Sequence, residues 1–288
     1  MNRSLSRRRF LALSSAAAAG ASFFDAPGVL RAARLLAADD PYQGWPIGVQ
    51  SYSLRNFDLH EAVRHIQGMG LHYVEFYSKH LAPNATDETI EETLKLLTSA
   101  DITLNAHGVN GFGADHEANR KIFAFAKKAG IKNITANPNP DSFDSLDKLV
   151  AEYDIRVCIH NHGPGALYDS IKSVQDAVKG RDPRIGACVD TGHFIRSKED
   201  PVQAVRDLGK RVFALHIKDE EKREKRSRNV VIGTGHLDVV GLFKATKKIG
   251  FPADGSMSLE YEANPKNPID EMKQCLEVAK KAIAKVVG

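Results

Sequence analysis

Short apolar runs alternate with longer segments of helical periodicity from Pro46 to the end of the chain. Each run is four to six residues long and ends in polar residues or glycine, which is typical of a buried strand in a parallel sheet. The segments between the runs repeat apolar residues at intervals of three and four, which is typical of amphipathic helices. The pattern predicts strands at 47–51, 73–77, 103–107, 133–136, 156–161, 185–190, 212–217 and 256–261.

The intervening helices are predicted at 59–69, 87–100, 115–129, 142–153, 168–178, 201–208, 239–249 and 267–286. Several end at a glycine, as helices commonly do (Gly70, Gly130, Gly180, Gly209 and Gly250). Eight strand–helix units of about 31 residues favour a single-domain α/β protein, a (β/α)8 TIM barrel. An open doubly wound sheet is the alternative, but no G-x-G-x-x-G follows the first strand.

The first 38 residues have a different composition. Residues 6–11 read S-R-R-R-F-L, and a moderately apolar stretch rich in Ala, Ser and Leu follows over 11–24. This arrangement resembles the twin-arginine (Tat) export signal of bacteria. We therefore expect a Tat signal peptide over 1–38, the barrel over 39–288, recognition by the Tat export machinery, and a periplasmic or exported protein.

The charge balance changes once the predicted signal is set aside. The whole chain carries 40 basic and 36 acidic residues, a formal net charge of +4. The first 38 residues contain six arginines and one aspartate, which leaves 34 basic and 35 acidic residues and a net charge of −1. A nearly neutral domain lacks the basic surface of a nucleic-acid-binding protein, so we expect no nucleic-acid partner.

Polar residues collect where the predicted strands end. In a barrel these ends form the mouth, where active sites lie, and one inward residue from each strand can reach the axis. Buried carboxylates are costly unless they are paired or bind a metal, and imidazole with carboxylate suits Mn, Co, Fe, Ni or Zn. The clusters are 105–107, 160–163, 190–193, 216–219 and 260–262, with Glu75 on the second strand.

Four motifs in these clusters resemble the xylose-isomerase-like TIM-barrel superfamily, which includes ketose 3-epimerases, inosose dehydratases, sugar phosphate isomerase/epimerases and endonuclease IV. They are V-D-T-G-H at 189–193, H-I-K-D at 216–219, G-T-G-H-L-D at 233–238 and L-E-Y-E at 259–262. The resemblance covers the whole chain after the signal. It implies one divalent metal held by Asp190, His216 and Glu260, with His193 touching the substrate.

The chain departs from the family at the end of the fifth strand. The family has E-N-H there, whereas this chain has His160-Asn161-His162. Imidazole can replace the carboxylate as a ligand, so His160 is predicted as the fourth ligand. The resembling 3-epimerases exchange a proton from both faces with two glutamates, and here only Glu260 remains of that pair. A symmetric epimerisation is therefore disfavoured, and Glu260 with His160 is predicted to carry a one-sided reaction.

The substrate predicted on this basis is a small carbohydrate, and the reaction is proton abstraction next to its carbonyl through an enolate. Two outcomes of this chemistry are compatible with the sequence. One is isomerisation, and the other is β-elimination from a 3-keto-glycoside by a lyase. Two other interpretations are a non-catalytic sugar-binding barrel and an abasic-site endonuclease, and the predicted export and charge disfavour the endonuclease. Predicted substrate contacts are Glu75, His107, His162, His193 and Lys222.

Overall fold

Eight parallel strands close into a barrel in the computed structural model, which describes residues 40–288. The predicted signal peptide lies outside the described residues. Around the barrel the order is β1-β10-β7-β6-β5-β4-β3-β2, so sequential barrel strands are neighbours and the last one pairs with the first. The barrel strands are β1 Ile47–Gln50, β2 Tyr73–Phe76, β3 Thr103–Phe112, β4 Asn133–Pro138, β5 Arg156–His160, β6 Ile185–Asp190, β7 Val212–Ile217 and β10 Ser256–Leu259.

Helices cover the outside of the barrel. Most begin at an Asp, Ser or Thr whose side chain accepts a backbone N–H of the first turn; Asp58, for example, accepts from Glu61 in a capping box. The helices are α1 Leu59–Gly68, α2 Asp87–Ser99, α3 His116–Lys128, α4 Phe143–Tyr153, α5 Ile171–Val178, α6 Thr191–Arg196, α7 Pro201–Leu208, α8 Val239–Ile249 and α9 Ile269–Val287. The closed barrel confirms the predicted fold.

Two elements at the mouth were not predicted. The connection after β7 forms a small antiparallel hairpin, β8 Asp219–Glu220 with β9 Asn229–Val230. The short helix α6 begins directly at the end of β6, and Asp190 is its N-cap. Both elements are too short to show a period in the sequence, so tertiary contacts decide them.

The third strand contains an irregularity that matters for the site. Val74 pairs with Leu104, and the next residue, Glu75, pairs with Ala106, so β3 has one extra residue at Asn105. An extra residue of this kind reverses the alternation of inward and outward side chains beyond it. The residues that follow in β3 are therefore displaced from the orientation that simple alternation predicts.

The core lies in two layers, inside the barrel and between the strands and the helices. The interior face of α9, for example, buries Met272, Leu276 and Ile283. Within residues 40–288, no helix is long and apolar enough to cross a membrane.

Candidate metal centre and active site

Four side chains meet at the mouth, one from each of four neighbouring strands. His160 and Asp190 are the last residues of β5 and β6, His216 lies in β7, and Glu260 directly follows β10. One nitrogen or oxygen atom of each lies within 4.8 Å of the corresponding atoms of the other three, and all four residues are buried. The structure thus brings together the four residues predicted as metal ligands.

The four converging atoms have no aligned hydrogen bond in the protein. They are His160 Nε2, Asp190 Oδ2, His216 Nδ1 and Glu260 Oε2, and they make up four of the nine buried side-chain atoms in residues 40–288 without a hydrogen-bond partner. The two carboxylate oxygens lie 3.1 and 2.8 Å from the Lys218 ammonium but are not aligned with it as hydrogen-bond acceptors, and the two imidazole nitrogens have no aligned hydrogen bond within residues 40–288. Buried polar atoms left in this state favour a further partner. Two imidazole nitrogens and two carboxylate oxygens suit a divalent transition metal or Zn²⁺, and this donor set therefore fits the predicted metal ion.

A buried lysine lies against the same group. The Lys218 ammonium nitrogen is 3.1 Å from Asp190 Oδ2 and 2.8 Å from Glu260 Oε2, and it also contacts Glu262. The side chain is 2% exposed. Sequence reasoning missed Lys218, although it lies two residues after His216, a spacing that in a strand places both side chains on one face.

This cation controls the charge of the two carboxylates. Burial alone would raise the pKa of Glu260, but the nearby Lys218 and His216 hold that pKa below its ordinary value. Burial opposes ionisation of Asp190 as well, and His193, Lys218 and His160 outweigh it and lower its pKa well below the usual value. Both groups are therefore carboxylates at neutral pH, as ligands and a proton-accepting base must be.

Glu75 was predicted as a substrate contact at the mouth, and the structure places it elsewhere. It has no exposed surface, and its Oε2 lies 2.9 Å from His216 Nε2, on the far side of that ring from the metal-facing nitrogen. Ser258 donates to the same oxygen at 2.9 Å. A carboxylate on the outer nitrogen of a ligating histidine fixes the ring and its tautomer, so Glu75 orients His216.

The partners of His216 also favour its protonated form. Burial alone would lower its pKa, but Cys188, Glu75 and Glu260 together hold the pKa well above the ordinary value. A metal ion at Nδ1 would displace that proton. We therefore expect metal affinity to rise with pH.

His107 was also predicted to touch substrate, and it points away from the mouth. Its Nε2 lies 2.8 Å from the carbonyl oxygen of Leu81, its Nδ1 lies 3.1 Å from Asn110 Nδ2, and its ring packs against Phe125 of α3. Both ring nitrogens are satisfied and the residue is 1% exposed. The extra residue in β3 accounts for this orientation, because it turns His107 toward the helix layer.

Two of the predicted substrate contacts line the mouth. The rings of His162 and His193 stack with centroids 5.4 Å apart, and the His193 ring lies 5.6 Å from that of His160. Burial and the charge of His160 lower the pKa of His162 to about 4, so this ring is neutral at physiological pH. Lys222 is exposed in the turn between β8 and β9, where its backbone N–H donates to Ser227 Oγ.

Asp219 organises the connection beside the site. Its buried carboxylate accepts backbone N–H groups at 2.8–2.9 Å from five residues: Glu220, Gly233, Gly235, His236 and Leu237. Gly235 must be glycine, because a Cβ there would lie 2.6 Å from Asp219 Oδ1 and 2.3 Å from a backbone oxygen. The motifs H-I-K-D and G-T-G-H-L-D are thus two halves of one structure that holds the connection against the mouth.

Comparison with known proteins now decides the family. Residues 63–282 match the family described as Xylose isomerase-like TIM barrel, which is more than half of the chain. The chain belongs to the xylose isomerase-like TIM-barrel family. The sequence is also 27% identical over 149 residues to an inosose dehydratase of Clostridium botulinum, covering 44% of this chain and 48% of that protein. The chain thus matches about half the length of this curated relative.

Solved structures with a similar fold cover most of the chain. One is an uncharacterized protein from Parabacteroides distasonis, with 31% identity, a TM-score of 0.65, and coverage of 83% of this chain and 99% of that one. Another is a D-tagatose 3-epimerase-like protein, with 18% identity, a TM-score of 0.68, and coverage of 84% and 98%. The second likeness supports the fold alone.

Proposed function

We propose that this protein is a metal-dependent enzyme that removes a proton next to a carbonyl of a small carbohydrate. The observation that carries the proposal is the convergence of four buried ligand atoms, none with an aligned hydrogen bond, at the mouth of the barrel. The name of one similar protein, an inosose dehydratase, supports a substrate of this kind. The predicted Tat signal supports an exported enzyme that meets free sugars or oxidised glycosides, and export is part of this proposal.

His160, Asp190, His216 and Glu260 would hold the metal ion. The ion would supply Lewis acidity that polarises the carbonyl and lowers the barrier to enolate formation. Glu260 takes the α-proton, because the adjacent Lys218 ammonium keeps it ionised at neutral pH. Lys218 also offers fixed positive charge beside the base, where negative charge develops on the substrate. Glu75 holds the His216 ring in position from behind.

One observation favours elimination over two-base epimerisation as the outcome. The end of β5 carries His160, whose Nε2 lies 3.3 Å from Asp190 Oδ2 among the ligand atoms, and no second glutamate faces Glu260 from that strand. Exchange of a proton on both faces of one carbon uses two bases, whereas elimination uses one base and a departing group. We therefore propose lyase action on a 3-keto-glycoside or keto-polyol as the second candidate within the same enolate chemistry.

Solvent deuterium exchange tests the proposal. The metal-loaded protein is incubated in D₂O with a panel of free keto-sugars and 3-keto-glucosides, and deuterium next to the carbonyl is measured by mass spectrometry. We expect incorporation with at least one substrate, and Glu260→Gln should reduce it at least 10³-fold, the range lost with a proton-transferring group that is also a ligand. Glu91→Gln, on the exposed face of α2, is the matched control and should exchange at the wild-type rate.

Product analysis separates the two outcomes. Released aglycone indicates elimination, and intact connectivity with a moved carbonyl indicates isomerisation. Sugar binding without any exchange across the panel would contradict catalysis and favour the sugar-binding barrel. Full activity of Glu260→Gln would contradict the assigned base.

A further inference from the structure

A guanidinium group without a carboxylate partner lies at the edge of the mouth. Arg196 is the last residue of α6 and is half-buried. Its Nε donates to the carbonyl oxygen of Lys225 at 3.1 Å, and its Nη1 lies 3.3 Å from His193 Nδ1. Among residues 40–288, no Asp or Glu oxygen lies within 4.0 Å of this guanidinium, which has five N–H donors.

Two imidazole rings connect this arginine to the metal centre. His193 contacts Arg196 through Nδ1, and its ring lies 5.6 Å from the ring of His160, one of the four ligands. The ring of His162 stacks on the ring of His193. Arg196 thus contacts the ring that borders the metal centre, so an elongated substrate whose carbonyl lies at the metal centre would extend toward Arg196.

Two glycines in the loop after β5 lie next to cationic side chains. A Cβ at Gly163 would lie 2.8 Å from Arg196 Nη2, so a side chain there would displace the guanidinium. The Lys225 ammonium approaches the same loop, 3.6 Å from the position of a Cβ at Gly165. Arg196 and Lys225, one from α6 and one from the β8–β9 turn, form a cationic wall on this side of the mouth.

One acidic group acts on this wall. Glu220 interacts electrostatically with Arg196, and its charge is shared with Lys218. The Lys218 ammonium also lies beside Asp190, Glu260 and Glu262. Arg196 and Lys225 therefore bring two positive charges to this side of the mouth, against a carboxylate that Lys218 shares.

We propose that the cationic wall binds a carboxylate of the substrate, which makes the natural substrate a sugar acid. A guanidinium forms paired, charge-assisted hydrogen bonds with a carboxylate, and the half-buried position of Arg196 reduces competition from water. The sugar part of this inference rests on the proposed function. The anionic part rests on Arg196, Lys225 and the two loop glycines alone.

Binding measurements on the full-length, metal-loaded protein test the inference. Isothermal titration compares D-glucuronate with D-glucose and D-galacturonate with D-galactose, each pair differing at C6, and D-glucose 6-phosphate provides a phosphate arm. We expect the uronates to bind at least tenfold more tightly than the neutral sugars. Arg196→Met should remove this preference and leave the affinity for the neutral sugars within twofold, whereas Arg196→Lys should retain part of it.

A matched variant controls for loss of one positive charge. Arg206→Met, on the exposed face of α7, should behave as the wild type in every titration. Equal loss of acid and neutral sugar in Arg196→Met would show that Arg196 only ties the β8–β9 turn, which would overturn the inference. A lack of acid preference in the wild type, including lack of any binding, would overturn it too, as would an Arg196-dependent preference for phosphate alone.

The two proposals fail separately. An acid preference that depends on Arg196, in a protein that exchanges no deuterium, would contradict the proposed enolate chemistry and uphold the anionic ligand. Deuterium exchange in a wild-type protein that binds the uronates no more tightly than the neutral sugars would uphold the chemistry and contradict the sugar acid.

Discussion

Both ends of the barrel bury polar side chains. These side chains hydrogen-bond within the protein at one end and lack aligned hydrogen bonds at the other. At the amino-terminal end, Asn133 donates to the carbonyl oxygens of Asn105 and Asp254 at 3.0 and 2.8 Å. Asn105 in turn donates to Gly255 O and accepts from Ser256 Oγ. At the mouth, four polar atoms point at one another without an aligned hydrogen bond. Buried polar groups that satisfy one another stabilise a fold, whereas groups left unsatisfied at one point indicate a ligand.

The largest expected difference between the two ends is in metal binding. Asp190→Asn removes a charged ligand and should weaken the affinity for Mn²⁺ or Zn²⁺ at least 100-fold, about 2.7 kcal/mol at 25 °C. Chelator competition measures the affinity. Asn105→Asp, which alters a buried amide at the other end, should leave metal affinity unchanged, and a comparable loss in both variants would erase the distinction between the ends.

A substitution at the amino-terminal end should change the stability of the fold and not its metal binding. Asn133→Ala leaves the carbonyl group of Asn105, which is buried, and that of Asp254, which is partly buried, without this donor. It should reduce the free energy of unfolding by about 2 kcal/mol, measured by urea denaturation. Metal affinity of the folded variant should equal that of the wild type. An unchanged free energy of unfolding would contradict this prediction. It would mean that the hydrogen bonds donated by Asn133 stabilise the fold no more than hydrogen bonds to water would in their place.

A smaller effect is expected behind the metal centre. Glu75→Gln keeps the size of the side chain but removes the charge that faces His216 Nε2, and it should weaken metal binding about tenfold. His107→Asn is the matched control, because His107 lies on the neighbouring strand and points toward α3. Equal effects of the two substitutions would contradict the role assigned to Glu75.

The smallest effect concerns pH. His162 has a pKa of about 4 in the folded protein and an ordinary value near 6.5 when unfolded. Because the folded pKa is the lower one, unfolding takes up a proton between these values, and stability falls as the pH falls from about 6.5 to 4. His162→Gln should reduce this uptake by about one proton, measured from the slope of unfolding free energy against pH. A slope identical to that of the wild type would contradict a neutral His162.

These comparisons also show what the sequence could reveal. The barrel and the gathering of polar residues at one edge follow from strand periodicity, because the ends of parallel strands lie at one edge. The choice of His160, Asp190, His216 and Glu260 among those residues follows from the resemblance to the xylose-isomerase-like superfamily. The orientation of His107 does not follow, since it depends on an extra residue in β3 that leaves no local signal. The sequence also does not show how far below the mouth a side chain lies. Glu75 is one residue before the end of its strand, and its carboxylate contacts Nε2 of His216 rather than the mouth.

Lys218 and Arg196 were missed for a different reason. The sequence shows a lysine after a strand and an arginine after a short apolar segment, both of which are ordinary surface residues in most proteins. Only the fold shows that Lys218 is enclosed by three carboxylates, and that within residues 40–288 no carboxylate forms an ion pair with Arg196. The role of a charged side chain depends on the residues that surround it, and for these two residues they come from distant parts of the chain.

The central claim is that the four converging nitrogen and oxygen atoms at the mouth form one metal site, and anomalous X-ray diffraction from crystals of the metal-loaded protein tests it most directly. The account predicts a single strong peak per chain at the absorption edge of the metal, about 2.0–2.2 Å from His160 Nε2, Asp190 Oδ2, His216 Nδ1 and Glu260 Oε2. A metal ion bound elsewhere, with none among these four atoms, would contradict it.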